Sequence, residues 1–431
     1  MFCLKGNSCR GYSRYRLPGP LLRERIVGSL GIAIASAVRI TARSRDSGAG
    51  ASSYPWAHLP SVRGNHLKSK GLTLAFLLFA GCQRGPDTYT VGAAGPWKET
   101  YGIMTRRGID LAVEEINHAG GIRGAPLRLI ARDDDADPRR AAVIASDFVR
   151  NENVLAVIGH VTSGAMIAAA HIYDGELTAI ATSASSPDLT GISPWVFRVI
   201  PSDSLNGVGL GRFASQIGGT DPSMKEAAIL YENDSYGRGL ADAFRRSFRG
   251  TIVSFDPIDE NPATVEPFIS YYKVRRPGIV FVASREPAAL AILREAKRQQ
   301  LDAVFLGGDG WQGIVSDTAA SEGAYVGMSF NAEDPAPAVK RFVQAFTKRY
   351  DAMPDADAAL GYDATMLVAR AISKKGASRR GIRDYISSLD SEHPYEGLGG
   401  ALYFSEGGDP LGMGFRVARV SHGALLSGVA Q

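Results

Sequence analysis

The 431-residue sequence predicts an α/β protein of two lobes, each a parallel sheet covered by helices on both faces. From Thr88 onward, short β-rich runs alternate with amphipathic helical patterns. The alternation comes as two series, separated by a polar, glycine-containing stretch over 201–211. Apolar residues make up 45% of the chain and charged residues 21%, the mixture of a soluble globular protein.

Residues 88–92 read as the first strand. Ile109, Ala112, Val113 and Ile116 then fall at i, i+3, i+4 and i+7, one face of a helix. Gly120-Gly121 ends it, because glycine tolerates the left-handed conformation that a helix C-terminus needs. A strand over 126–131 follows. Pro138 opens a helix whose apolar face is Ala141, Ile144, Ala145 and Phe148. Residues 154–159 (VLAVIG) form an apolar run of buried-strand length, followed by a helix over 163–174 and a strand over 177–182. The second series places strands at 227–231, 250–255, 278–283 and 303–307, with helices at 236–248 and 287–300. Helices over 339–350 and 358–374, then strands over 401–404 and 414–420, can return to either lobe.

Charge and cysteine are unevenly placed. Residues 1–81 hold 12 of the 48 Lys and Arg but only 2 of the 44 Asp and Glu, so the rest of the chain is net acidic. The basic pI therefore belongs to the leader and does not point to a nucleic-acid partner. Cys3, Cys9 and Cys82 are the only cysteines, and a body of this size folds without disulfides in an oxidising compartment. Nowhere do 18 consecutive apolar residues occur, so no integral membrane helix is expected.

Lys68 and Lys70 precede the apolar run GLTLAFLLFAG and then Cys82. A basic start, a short apolar run and small residues before a cut describe a secretory signal, here over 67–81. Ala80-Gly81-Cys82 resembles the bacterial lipobox, although Phe79 stands where leucine is usual. The expectation is an exported protein held to a bacterial membrane surface by a lipidated Cys82. Residues 1–66 precede the signal awkwardly, so translation is expected to begin later, near Val62 or Leu67. The apolar stretch 26–38 is a weaker rival signal without a following cysteine.

The segments GGIRGAPLRL, DDDADP, VIGHVTSGA, TSASSPDLT, ENDSYGRGL and GGDGWQG occur in one order and at one set of spacings. Together they resemble the leucine/isoleucine/valine-binding proteins that serve ABC importers, over about residues 88–425. That resemblance implies a type I periplasmic binding protein fold: two Rossmann-like lobes, a three-segment hinge and a ligand in the cleft. It assigns 88–203 with 332–400 to the N-terminal lobe and 204–331 with 401–431 to the C-terminal lobe. The implied hinge segments lie near 201–205, 329–333 and 400–404. Its partners would be a small ligand, an amino acid above all, and ABC permease subunits; no cofactor or metal is implied.

Residue by residue, Ser163 follows a strand and opens a helix, where unsatisfied backbone N–H groups welcome a carboxylate. By itself it reads as an ordinary N-cap serine. The resemblance implies that it grips the ligand's α-carboxylate, with Thr162 beside it. Ser183, Ala184 and Ser185 follow the next strand end, where ligands of open α/β sheets sit. Ser185 matches a threonine that contacts carboxylate and ammonium, and Ser183 would offer its carbonyl. Asp309 reads alone as a turn aspartate, but it matches a glutamate that pairs with the α-ammonium, so a different reach is implied. Tyr101 and Tyr236 match aromatic walls of the ligand side-chain site. Arg285 reads first as a solvated arginine; pointing inward, it would favour an acidic side chain. Ala136 and Thr162 stand where the leucine binders have a disulfide, so both partners are absent together.

Enzyme motifs fail. Gly207-Val208-Gly209-Leu210-Gly211 lacks the dinucleotide-binding spacing and does not follow a strand. Asp133, Asp135 and Asp137 mimic a calcium loop, but Pro138 and Ile144 occupy its obligatory glycine and glutamate places, so the run reads as a solvated turn. His118, His160 and His171 form no zinc pattern, and there is no nucleophile elbow. The same fold also serves as a ligand-sensing module for signalling receptors, the alternative to transport.

Overall fold

The computed structural model describes residues 86–427, apart from 218, 259–260 and 262–263. The expected signal at 67–81 and Cys82 lie outside the described residues. Among the described residues no helix is long and apolar enough to cross a membrane.

The first half begins with β1 (Tyr89–Gly95), α1 (Thr100–His118), β2 (Leu127–Asp133), α2 (Pro138–Arg150), β3 (Val154–Ile158), α3 (Ser163–Tyr173), β4 (Thr178–Ala181) and β5 (Val196–Arg198). Its strands pair in parallel in the order β2-β1-β3-β4-β5. β1 and β3 are buried along their whole length, as strands covered on both faces must be. The predicted α2 face, Ala141, Ile144, Ala145 and Phe148, is the buried one, and Asp137 caps the helix by accepting from the Arg139 amide at 2.7 Å.

The second half continues with α4 (Asp203–Ile217), β6 (Glu226–Glu232), α5 (Ser235–Ser247), β7 (Thr251–Ile258), α6 (Glu266–Arg275), β8 (Ile279–Ala283), α7 (Glu286–Arg298), β9 (Val304–Gly307), α8 (Thr318–Ser321) and β10 (Tyr325–Met328). These strands are also parallel, and their order β7-β6-β8-β9-β10 repeats the topology of the first sheet. The glycine-rich stretch 207–211 lies inside α4. Its glycines serve packing, since a Cβ at Gly207 would lie 2.5 Å from the Ala243 Cβ of α5.

The chain then returns. α9 (Pro337–Tyr350), α10 (Ala356–Lys375) and α11 (Arg379–Ser387) pack Val339, Phe342, Leu367 and Ile382 into one core with Val91 and Ile158 of the first sheet. β11 (Tyr395–Gly397), β12 (Gly400–Phe404) and β13 (Pro410–Met413) make a small antiparallel sheet whose Leu402 joins that same core. The lobe boundary expected at 400/401 thus falls inside β12. Finally β14 (Arg416–Ser421) and β15 (Ala424–Ser427) extend the second sheet with antiparallel strands, and Val420 enters the second core.

Candidate functional site

In each sheet the order in which strands are added reverses around the first strand, between β1 and β3 and between β6 and β8. Loops leaving the carboxyl ends of parallel strands at such a switch point diverge and open a crevice. Here the loops of both halves line one shared cavity, in the kind of place where small-molecule sites form. The first half contributes Tyr101, Val161, Thr162, Ser163, Ser183, Ile200, Ala356, Asp357 and Leu360; the second contributes Tyr236, Arg285, Asp309, Gly310 and Gln312. The predicted Ala184 and Ser185 are fully buried and stand outside this lining.

At one wall stands the N-terminus of α3. Its first intrahelical bond runs from the Met166 amide to the Thr162 carbonyl at 2.9 Å, so the N–H groups before it have no acceptor within the helix. The Ser163 hydroxyl accepts from the Ser186 amide at 3.1 Å, which ties this turn to the loop after β4. Thr162 is 7% exposed and its hydroxyl has no partner among the described residues. Bared amides and an unused hydroxyl suit an anion.

The loop that presents them is held from below. Gly159 has φ +110°, and an added Cβ would lie 2.1 Å from the Ala94 carbonyl oxygen, so only glycine fits against β1. His160 is fully buried, with Nδ1 2.7 Å from Asp134 Oδ2 and Nε2 3.1 Å from the Tyr173 hydroxyl. Asp134 corrects the reading of its segment as a solvated turn: Asp135 is solvated and pairs with Lys98, but Asp134 has no exposed surface.

The other half supplies a carboxylate. Asp309 Oδ1 accepts from the Tyr236 hydroxyl at 2.9 Å, and that hydroxyl accepts from the Gly310 amide at 3.1 Å. Burial pushes the Asp309 carboxyl up, while the Tyr236 hydrogen bond pulls it back. Asp203, fully buried near it, is held well above the usual carboxylate range by burial and by Asp309.

Arg285 faces the cavity but is not a free cation. Its Nη1 lies 2.5 Å from Glu232 Oε2 and 2.8 Å from Asp234 Oδ2, and its guanidinium sits 5.0 Å from the Tyr236 ring centroid. With two carboxylates on one guanidinium, the attraction expected for an acidic ligand side chain is already spent within the protein.

Asp357 and Gln312 were not singled out from the sequence. Ser183 donates its hydroxyl to Asp357 Oδ1 at 2.5 Å, and Gln312 Oε1 accepts from the Ala356 amide at 2.9 Å. Both act at the first turn of α10, which Asp355 caps by accepting from the Ala358 amide at 2.9 Å. Among the described residues no group of three or more His, Cys, Asp or Glu is placed to hold a metal ion.

Comparison with known proteins gives a consistent set. The periplasmic binding protein family profile matches residues 89–424. A leucine-, isoleucine-, valine-, threonine- and alanine-binding protein of Pseudomonas aeruginosa is 30% identical over 358 residues, covering 80% of this chain and 93% of that one. The structure of an ABC transporter substrate-binding protein of Desulfitobacterium hafniense with leucine superposes with TM-score 0.67 at 31% identity, covering 79% of this chain and 99% of that one. A branched-chain amino acid substrate-binding protein of Streptococcus pneumoniae with isoleucine shares the fold, with TM-score 0.72 at 24% identity and coverage of 78% and 97%.

Proposed function

From the premise that the chain belongs to the periplasmic binding protein family, we propose that it captures an α-amino acid by closing its two halves around it and delivers it to an ABC permease. Members of this family are exported solute-binding proteins and not enzymes, and the homologues are substrate-binding proteins of ABC transporters.

One observation carries the ligand class: a single cavity is lined by the α3 N-terminus with Thr162 and Ser163 from one half and by Asp309 with Tyr236 from the other. A zwitterion answers both, with its carboxylate on the bared amides and its ammonium on Asp309. Because each end of the ligand touches a different half, binding favours the closed arrangement, and only such differential contacts shift an open–closed equilibrium. The segments near 201–205 and 329–333 are two of the proposed hinge crossings; the third, expected near 400–404, is proposed instead between β13 and β14, because 400–404 is β12 and its Leu402 packs in the first core. A lipid on Cys82, following the apolar run GLTLAFLLFAG, would hold the protein at the membrane beside its permease.

The test is a thermal-shift screen of the purified protein against the amino acids. A ligand at 100 times its Kd adds about 2.7 kcal/mol of stability, which such a screen resolves. Asp309→Ala is expected to abolish the shift; an unchanged shift in that variant overturns the assignment. For the anchor, Cys82→Ala is expected to move the protein from the membrane to the soluble fraction.

A further inference from the structure

The amino-acid reading uses Asp309, Thr162 and Ser163 and leaves one carboxylate of the cavity without a task. Asp357 lines the same space from the first turn of α10. The Ser183 hydroxyl holds its Oδ1 at 2.5 Å and leaves Oδ2 for something else. Among the described residues no Lys, Arg or His is ion-paired or hydrogen-bonded to it, its hydrogen-bond partner being Ser183. Burial drives the Asp357 carboxyl well above its ordinary range, and the charged groups acting on it, Asp355, Asp309 and Glu286, push in the same direction. Arg285, the one cation lining the cavity among the described residues, is already matched by Glu232 and Asp234. The cavity therefore holds a carboxyl that an aliphatic amino acid does not use and that a ligand cation would hold ionised. An aliphatic ligand side chain would leave Asp357 facing apolar atoms, an arrangement that costs free energy. Thr162, nine-tenths buried and unpartnered in the same lining, independently marks the opposite end of a ligand.

We infer that the ligand is an amino acid whose side chain ends in a positively charged nitrogen, with Asp357 as its counter-ion and Ser183 as the group that orients Asp357. The inference rests on the amino-acid reading and narrows it. Val161, Ile200 and Leu360 supply apolar lining for a methylene stem. Three charges on the ligand then meet three answers: the α-carboxylate at α3, the α-ammonium at Asp309 and the side-chain ammonium at Asp357.

Isothermal titration of the purified protein with L-lysine, L-ornithine and L-norleucine tests it, because norleucine keeps a lysine-like stem without the ammonium. Lysine or ornithine is expected to bind about 10- to 100-fold tighter than norleucine, the worth of one hydrogen bond to a charged group. Asp357→Asn is expected to bring those affinities within about 3-fold of one another, and Ser183→Ala, which keeps the carboxylate but frees it, to narrow the ratio part of the way. Norleucine binding as tightly as lysine, or a ratio that survives Asp357→Asn, overturns the inference and leaves the amino-acid reading standing. If none of the three binds and no other amino acid does, the amino-acid reading fails and takes this inference with it.

Discussion

Gln312, carried by the turn after β9, accepts the Ala356 amide N–H at 2.9 Å and so joins the second half of the protein directly to the first turn of α10 in the first. Its Nε2 also donates to the Asp309 carbonyl at 3.3 Å, so the bridge and the proposed ammonium site share one turn. A bond that exists only when the halves meet stabilises the closed arrangement whether or not a ligand is present. Gln312→Ala is expected to weaken ligand affinity about 3- to 10-fold, the usual net worth of one hydrogen bond. It is also expected to enlarge the ligand-free radius of gyration in solution scattering. Unchanged scattering and affinity would show that the bridge does not bias closure.

Tyr236 serves Asp309 in a way its ring alone cannot. Its hydroxyl sits between the Gly310 amide and the Asp309 carboxylate. Tyr236→Phe keeps the ring beneath Arg285 but leaves that amide and that carboxylate without their shared partner. Affinity is expected to fall about 10-fold. Calorimetry on the variant checks this; a loss no larger than the experimental error would assign Tyr236 to packing alone.

Much of the fold was legible because its signals are local. The α2 face of Ala141, Ile144, Ala145 and Phe148 is a period that four residues declare by themselves, and all four are buried. Short elements without such a period escaped: β5 and β10 span only 196–198 and 325–328, and α6 buries little beyond Ile269 and Tyr272. The helix through 207–211 was not legible because glycine is a poor helix former, and nothing in the sequence shows α5 lying against it. The site divides in the same way. Ser163 and Asp309 follow strand ends and can be found there, whereas Asp357 reaches the cavity only because α10 returns to the first half, and Gln312, in the turn after β9, has no local signal that sets it apart. His160 and Asp134 lie far apart in sequence, so their buried pair had no local signature.

Asp363 gives the protein a pH dependence separate from the ligand. It is 2% exposed on α10, and Oδ2 accepts from the Leu398 amide at 2.7 Å. Burial raises its pKa to about 7 against the partial opposition of the Leu398 and Gly399 amides. A carboxyl near 4 when unfolded and near 7 when folded binds more protons in the native state between those values. Its contribution is therefore fully present below about pH 4 and is lost as pH rises through about 7, a change on the order of a few kcal/mol. Asp363→Asn keeps an acceptor for Leu398 but does not titrate. Urea unfolding at intervals from pH 4 to 8 is expected to show a shallower decline in the variant than in the natural protein; parallel curves would remove Asp363 as the cause.

Gly207 separates helix propensity from packing. Alanine is the better helix former by about 1 kcal/mol, so on propensity alone Gly207→Ala would stabilise α4. Yet the added Cβ would lie 2.5 Å from the Ala243 Cβ and 2.8 Å from the Leu240 carbonyl oxygen. These are a backbone atom and the first side-chain atom of a helix, which cannot rotate away, and relief requires α4 and α5 to move apart. Overpacking of this kind costs about 1–3 kcal/mol, occasionally more, so the expected sign is destabilisation, read as a lowered urea midpoint. Gly209→Ala is the internal comparison. Its new methyl would meet the Phe415 ring at 2.6 Å, and because a ring can turn where a backbone cannot, the cost there should be the smaller of the two. If instead Gly207→Ala raises the midpoint, the α4–α5 contact is looser than these distances imply, and the glycines of 207–211 need another explanation.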